Sequence, residues 1–229
     1  MPVSGSPDML STVSATNSST WLWYGSRATG VVALLLLTAV ALLGLLISRQ
    51  GPAAGSTGGR PAGATLLGLP RFAVTGLHRN LSLLSVAFVV LHVLTAVADG
   101  YVTIPLAASV IPFTSPYEGF WLGIGAVSFD LFLAIVITSL LRRRLSRRTW
   151  YAVHLLAYAS WPVAFAHSIG SSTDMRSGWL LLLAIGCALA LAIGILWRVS
   201  AAGRDLPRAA RAHTLLSELH SRKPRRGAR

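Results

Sequence analysis

The sequence predicts an all-α, multi-pass transmembrane helix bundle of about five helices, with the N-terminus outside and the C-terminus inside. Three observations carry this. Hydrophobic residues make up 53% of the chain and charged residues only 12%. The apolar residues gather into runs long enough to cross a hydrocarbon core of ~30 Å at ~1.5 Å per residue. Lys and Arg segregate to one set of connecting loops.

The first span is the clearest, since Ala28 to Ile47 contains no charge. Its apolar run exceeds the ~7 to 15 residues of a signal-peptide core, and the preceding stretch carries Asp8 and Arg27 rather than a basic cluster, so it reads as a retained helix. Residues 1–20 are rich in Ser and Thr and form an expected disordered extracytoplasmic tail. Trp21, Trp23 and Tyr24 suit an interfacial anchor. Next, residues 51–65, GPAAGSTGGRPAGAT, read as a flexible linker without chemistry. Further spans are expected at 78–98, 120–141, 151–169 and 178–198. Between the second and third, residues 99–119 are apolar but broken by Pro105, Pro112 and Pro116, which predicts a segment lying along the outer surface and covering what is beneath. Tyr101, Phe113 and Tyr117 in it are interfacial aromatics available to an acceptor surface. Residues 201–229 form a basic cytoplasmic tail, with a short amphipathic helix expected around ARAHTLLSELH, where His213 and His220 are solvated.

The loops at 48–77 and 142–150 and the stretch from Arg198 onward hold Arg49, Arg60, Arg71, the five arginines of RRRLSRR and nine further basic residues, against Arg27 and Arg176 on the other side. This fixes the predicted orientation. It also accounts for the net charge of +13: basic loops set topology and meet anionic lipid, so membrane lipid and not nucleic acid is the implied partner. Cys187 is the single cysteine, which excludes an intrachain disulfide, and no CxxCH sequence is present for covalent heme attachment.

The chemistry sits in four histidines within the most apolar part of the chain. His78 and His92 are fourteen residues apart, ~21 Å of helix, and His154 and His167 thirteen apart, ~20 Å. On two helices running in the same direction, His78 matches His154 in depth and His92 matches His167. Ionisable side chains are costly in a bilayer and mark functional sites. Two pairs at two depths read as axial ligands of two b-type hemes stacked across the membrane, with both axial positions filled, suited to electron transfer. Packing histidines bonded to neighbouring helices explain one such residue more readily than four. Helix phase sets one condition: at ~100° per residue, fourteen positions return to nearly the same face and thirteen do not. Pro162, between His154 and His167, is expected to supply the correction through a kink or a π turn.

HRNLSLLSVAFVVLH followed by HLLAYASWPVAFAH resembles the ferric reductase-like transmembrane domain of ferric reductases, NADPH oxidases and the heme subunit of periplasmic methionine sulfoxide reductase systems. The resemblance covers residues 21–200 and implies two b-type hemes ligated by His78, His92, His154 and His167. Members commonly have six helices against five here. Many also carry flavin and nicotinamide domains after the last helix, whereas the 30 or so residues of tail are too few for one, so no FAD or NAD site is expected in this chain.

Other residues join the candidate site. Arg79, beside His78, and Arg27, at the outer end of the first span, stand at heights where heme propionates emerge, and arginine pairs well with carboxylates. Trp161 lies at a height between the two hemes, as a stepping stone or a packing residue. Asp130, midway along the third span, is a proton relay or a structural hydrogen-bonding group. The expected function is transmembrane electron transfer, as the heme subunit of an oxidoreductase, from a cytoplasmic flavoprotein or quinol to ferric iron, oxygen or an extracytoplasmic redox protein. The expected location is the bacterial cytoplasmic membrane. The alternatives are a quinol-linked cytochrome b and a heme-free transporter or scaffold in which the histidines and Asp130 handle protons or metal.

Overall fold

A computed structural model describes residues 9–48, 71–99 and 102–221, with side chains described over 20–47, 72–99 and 102–200. Helices dominate: α1 (Met9–Ser48), α2 (Arg71–Ala98), α3 (Gly119–Leu140), α4 (Arg147–His154), α5 (Ala157–Ser171) and α6 (Gly178–Ser221). No strand occurs among the described residues. Four segments are long and apolar enough to cross a membrane: 20–47, 72–98, 119–140 and 178–200. The fourth predicted span is present as α4 and α5, two pieces of one rod interrupted at Leu155 and Leu156. The all-α, multi-pass reading therefore holds, with five rods.

Helix α1 begins at Met9, so it extends into the stretch expected to be disordered. From Asp8 to Tyr24 there is neither Pro nor Gly to stop a helix propagating outward from the apolar span. Residues 1–8, the linker and Tyr101 lie outside the described residues. Helix α6 likewise runs through the expected amphipathic segment to Ser221. His213 and His220 fall on it, beyond the described side chains.

Two antiparallel pairings organise the bundle. Helix α1 packs along α2, and α3 packs along α5. Small residues allow the second approach: a Cβ on Gly170 would overlap the Trp121 ring at 1.9 Å. Ser128 and Ser160 exchange hydroxyl-to-carbonyl hydrogen bonds of 3.2 and 3.3 Å across it. Close contact through small and hydroxylated residues is how helices associate without a hydrophobic driving force between them. Helix α6 closes the other side of α1, where Leu34 and Leu45 meet Trp161, Ala184, Cys187 and Leu191 in the buried core. Cys187 is thus a packing residue, 6% exposed.

The two pairings scarcely touch each other through α2, which makes no extended contact with α3 or α5. A gap remains between α2 and the α3–α5 pair. The segment 102–118 caps one end of it with a 3-10 turn at Leu106–Ser109 and seats Phe113 on Gly123, where a Cβ would lie 2.2 Å from the ring. Phe113 takes a left-handed backbone, φ 65°, to do so.

Candidate functional site

The four histidines meet in two pairs across this gap. His78 and His154 have ring centres 6.4 Å apart with planes at 70°, and His92 and His167 have the same separation and the same angle. The depth matching predicted from spacing is what the helices produce.

The rod that carries His154 and His167, thirteen residues apart, tightens between them. The Leu156, Tyr158 and Ala159 amides donate to the carbonyls of Val153, Leu155 and Leu156 at 2.9 to 3.0 Å, three residues back instead of four. A 3-10 turn advances ~120° per residue rather than ~100°, so these three residues add ~60°, part of the ~140° by which thirteen positions fall short. The break is therefore one turn before Pro162, not at the proline, and it is a tightening, not a π turn. Pro162 lacks the N–H that would bond Tyr158, and its ring presses on that carbonyl, so the disturbance falls on the preceding turn.

Three of the four imidazoles lie against a glycine, and each of those glycines sits four residues after a carbonyl the ring approaches. His92 Nδ1 donates to Ser26 O at 2.8 Å, beside Gly30, whose Cβ would be 2.9 Å from His92 Cε1. His167 Nδ1 donates to Trp121 O at 2.9 Å, beside Gly125, whose Cβ would be 2.6 Å from His167 Nδ1. His78 comes up to the Val40 backbone beside Gly44, with 3.7 Å between the virtual Cβ and His78 Cε1. Its contact is looser, and His78 Nδ1 closes no hydrogen bond of good geometry. A helical carbonyl already bonded to the amide four residues on keeps a second lone pair, and glycine at that later position leaves it open. Because a carbonyl can only accept, His92 and His167 carry the proton on Nδ1 and turn a bare Nε2 into the gap.

His154 differs. Its Nδ1 is buried without a partner among the described residues. Its ring instead stacks on Trp150, with centres 4.8 Å apart at 20°, and the Arg142 guanidinium covers the other end of that stack 4.4 Å from the Trp150 centre. Arg142, Arg143, Arg144, Arg147 and Arg148 are all exposed around it.

A cavity of about 330 Å³ is lined by His92 and His167 and reaches Arg27, Phe129 and Asp174. A second, apolar cavity of about 470 Å³ adjoins it between α2, α3 and the capping segment, sharing Val93, Ser109 and Phe129. Of the remaining predicted residues, Arg27 is brought to the site, ion-paired to Asp174 and stacked over Trp23 at 4.0 Å. Tyr117 lines the same cavity. Trp161 is buried on α5 between the two pairs, with its Nε1 donating to Thr38 Oγ1 at 2.9 Å and its ring stacked on Phe165. Arg79 is exposed and joins neither cavity. Asp130 is half-buried in α3 and lines neither cavity.

Sequence reasoning missed the glycines and Trp150, although both left a signal. Gly30 and Gly44 are fourteen residues apart, the spacing of His78 and His92 on the antiparallel partner, and Trp150 stands one helical turn before His154.

Fold and site together define a multi-pass membrane protein with two stacked histidine pairs between its helices. Residues 29–165 match the family described as ferric reductase like transmembrane component, and the chain belongs to that family. The match spans His78, His92 and His154 and stops two residues before His167. No curated protein and no solved structure matches the chain.

Proposed function

We propose that this chain carries electrons across the membrane through two b-type hemes, one between His78 and His154 and the other between His92 and His167. The carrying observation is the ring separation of 6.4 Å in both pairs. Metal–imidazole bonds of about 2.0 Å on opposite faces of one ion put the ring centres about 6 Å apart. The donor set fits as well. Metal-bound histidines commonly give their other N–H to a backbone carbonyl, as His92 and His167 do here. Among the described residues no three His, Cys, Asp or Glu side chains converge on one point, so pairs are the available unit. Paired imidazoles suit a planar macrocycle that fills the other positions itself.

Heme held by these imidazoles would supply one-electron chemistry at its iron. The protein's part is to hold the imidazoles, exclude water and place groups at the ends. Arg27 is positioned to meet a propionate in exchange for Asp174, and Trp161 fills the space between the pairs. On the positive-inside reading the His78–His154 pair is cytoplasmic, and the arginines around Trp150 form the face where a separate flavoprotein or quinol delivers electrons. The acceptor, ferric iron, oxygen or a redox protein, meets the His92–His167 end beneath the capping segment. The setting is the bacterial cytoplasmic membrane, with residues 1–20 outside, 21–200 as the heme domain and 201–229 as the cytoplasmic tail.

Pyridine hemochrome assay of the purified protein tests this. Two b hemes per chain are expected in the unsubstituted protein and one in His78→Ala, His154→Ala, His92→Ala or His167→Ala. A folded protein expressed with ample heme that binds none refutes the reading.

A further inference from the structure

We infer that Gly30 and Gly125 are positioning residues that make the His92–His167 iron the harder of the two to reduce. The inference deepens the two-heme reading and rests on it.

Both imidazoles of that pair donate Nδ1–H to an open helix carbonyl, at 2.8 and 2.9 Å. Neither imidazole of the other pair closes such a bond. A hydrogen bond at Nδ1 draws the proton toward the carbonyl and raises the basicity of Nε2, and a more basic axial ligand favours the ferric over the ferrous state. The bonds exist because of the two glycines. In each, a Cβ would come within 3.0 Å of the ring, 2.9 Å from His92 Cε1 and 2.6 Å from His167 Nδ1, so the imidazole would have to slide away from the carbonyl. Nearby cations act in the same sense. Arg27, at the His92–His167 end, is neutralised by Asp174, whereas Arg142 lies one stacked ring away from His154 and favours the reduced, less positive iron there.

The experiment is a potentiometric titration of the purified holoprotein followed by visible and EPR spectra. Bands are assigned with His92→Ala and His78→Ala. Two separated steps are expected, the lower one belonging to the His92–His167 heme. Gly125→Ala and Gly30→Ala should shift that midpoint upward and alter its EPR signal while leaving the other heme unmoved. Gly186→Ala, on α6 with nothing within 4 Å of a Cβ, should change neither. Coincident or reversed midpoints in the unsubstituted protein overturn the inference, as does an unshifted midpoint in glycine variants that keep both hemes. If a variant sheds its heme, the order in the unsubstituted protein decides. Folded protein that binds no heme when expressed with ample heme refutes the two-heme reading itself, whereas two hemes in the reverse order refute this inference alone.

Discussion

Thr38 decides whether Trp161 can be buried at the centre of the bundle. Trp161 is 8% exposed, and the partner of its indole N–H is the Thr38 hydroxyl, which itself donates to the Leu34 carbonyl at 2.7 Å. Thr38→Val keeps the shape and removes the acceptor, so the protein should lose about 1 to 3 kcal/mol of stability with its heme content unchanged, read from thermal unfolding beside the visible spectrum. The histidines were legible in the sequence because an ionisable residue stands out against an apolar run. Gly30, Gly44 and Gly125 were not read, because glycine is common in membrane helices and its role lies in the carbonyl four residues earlier, on a face that only the packing reveals. Arg79 and Arg27 looked equivalent by height, yet only the rotation of each helix determines which one faces a cavity, and that favoured Arg27.

At the scale of the element, the interrupted α4–α5 rod converts a thirteen-residue spacing into a shared face. Pro162→Ala would restore the amide to Tyr158 and let the α-helical ladder run through, removing the added rotation. On the proposed two-heme reading, folded Pro162→Ala protein should hold about one heme instead of two, because His154 and His167 then no longer face α2 together; hemochrome stoichiometry measures this. Composition and run length gave the spans well, since a bilayer admits few backbone solutions. The position of the break was less legible. A proline's effect is displaced toward the N-terminus by the carbonyl it strikes, and whether the chain responds by loosening or tightening depends on the helices packed around it. Helix α1 also starts further out than its apolar run, because Ser and Thr content describes composition and not the propagation of a helix nucleated in the apolar span.

For the molecule as a whole, sidedness rests on the segregation of arginines. Reporter fusions at Gly55 and Ser146 should read cytoplasmic, and fusions at Ser4 external; an external Ser146 would invert the assignment of the two ends. The apolar cavity between α2 and α3 has a consequence for biogenesis. A chain whose two hairpins each satisfy their own backbone can insert as two leaves, and the apolar cavity beside the capping segment then admits a flat, greasy ligand from the lipid phase itself. Maturation should accordingly be separable from translation. Protein accumulated in heme-starved membranes should be fully inserted by protease mapping and should gain its complete spectrum when hemin is added to those membranes after synthesis has been stopped.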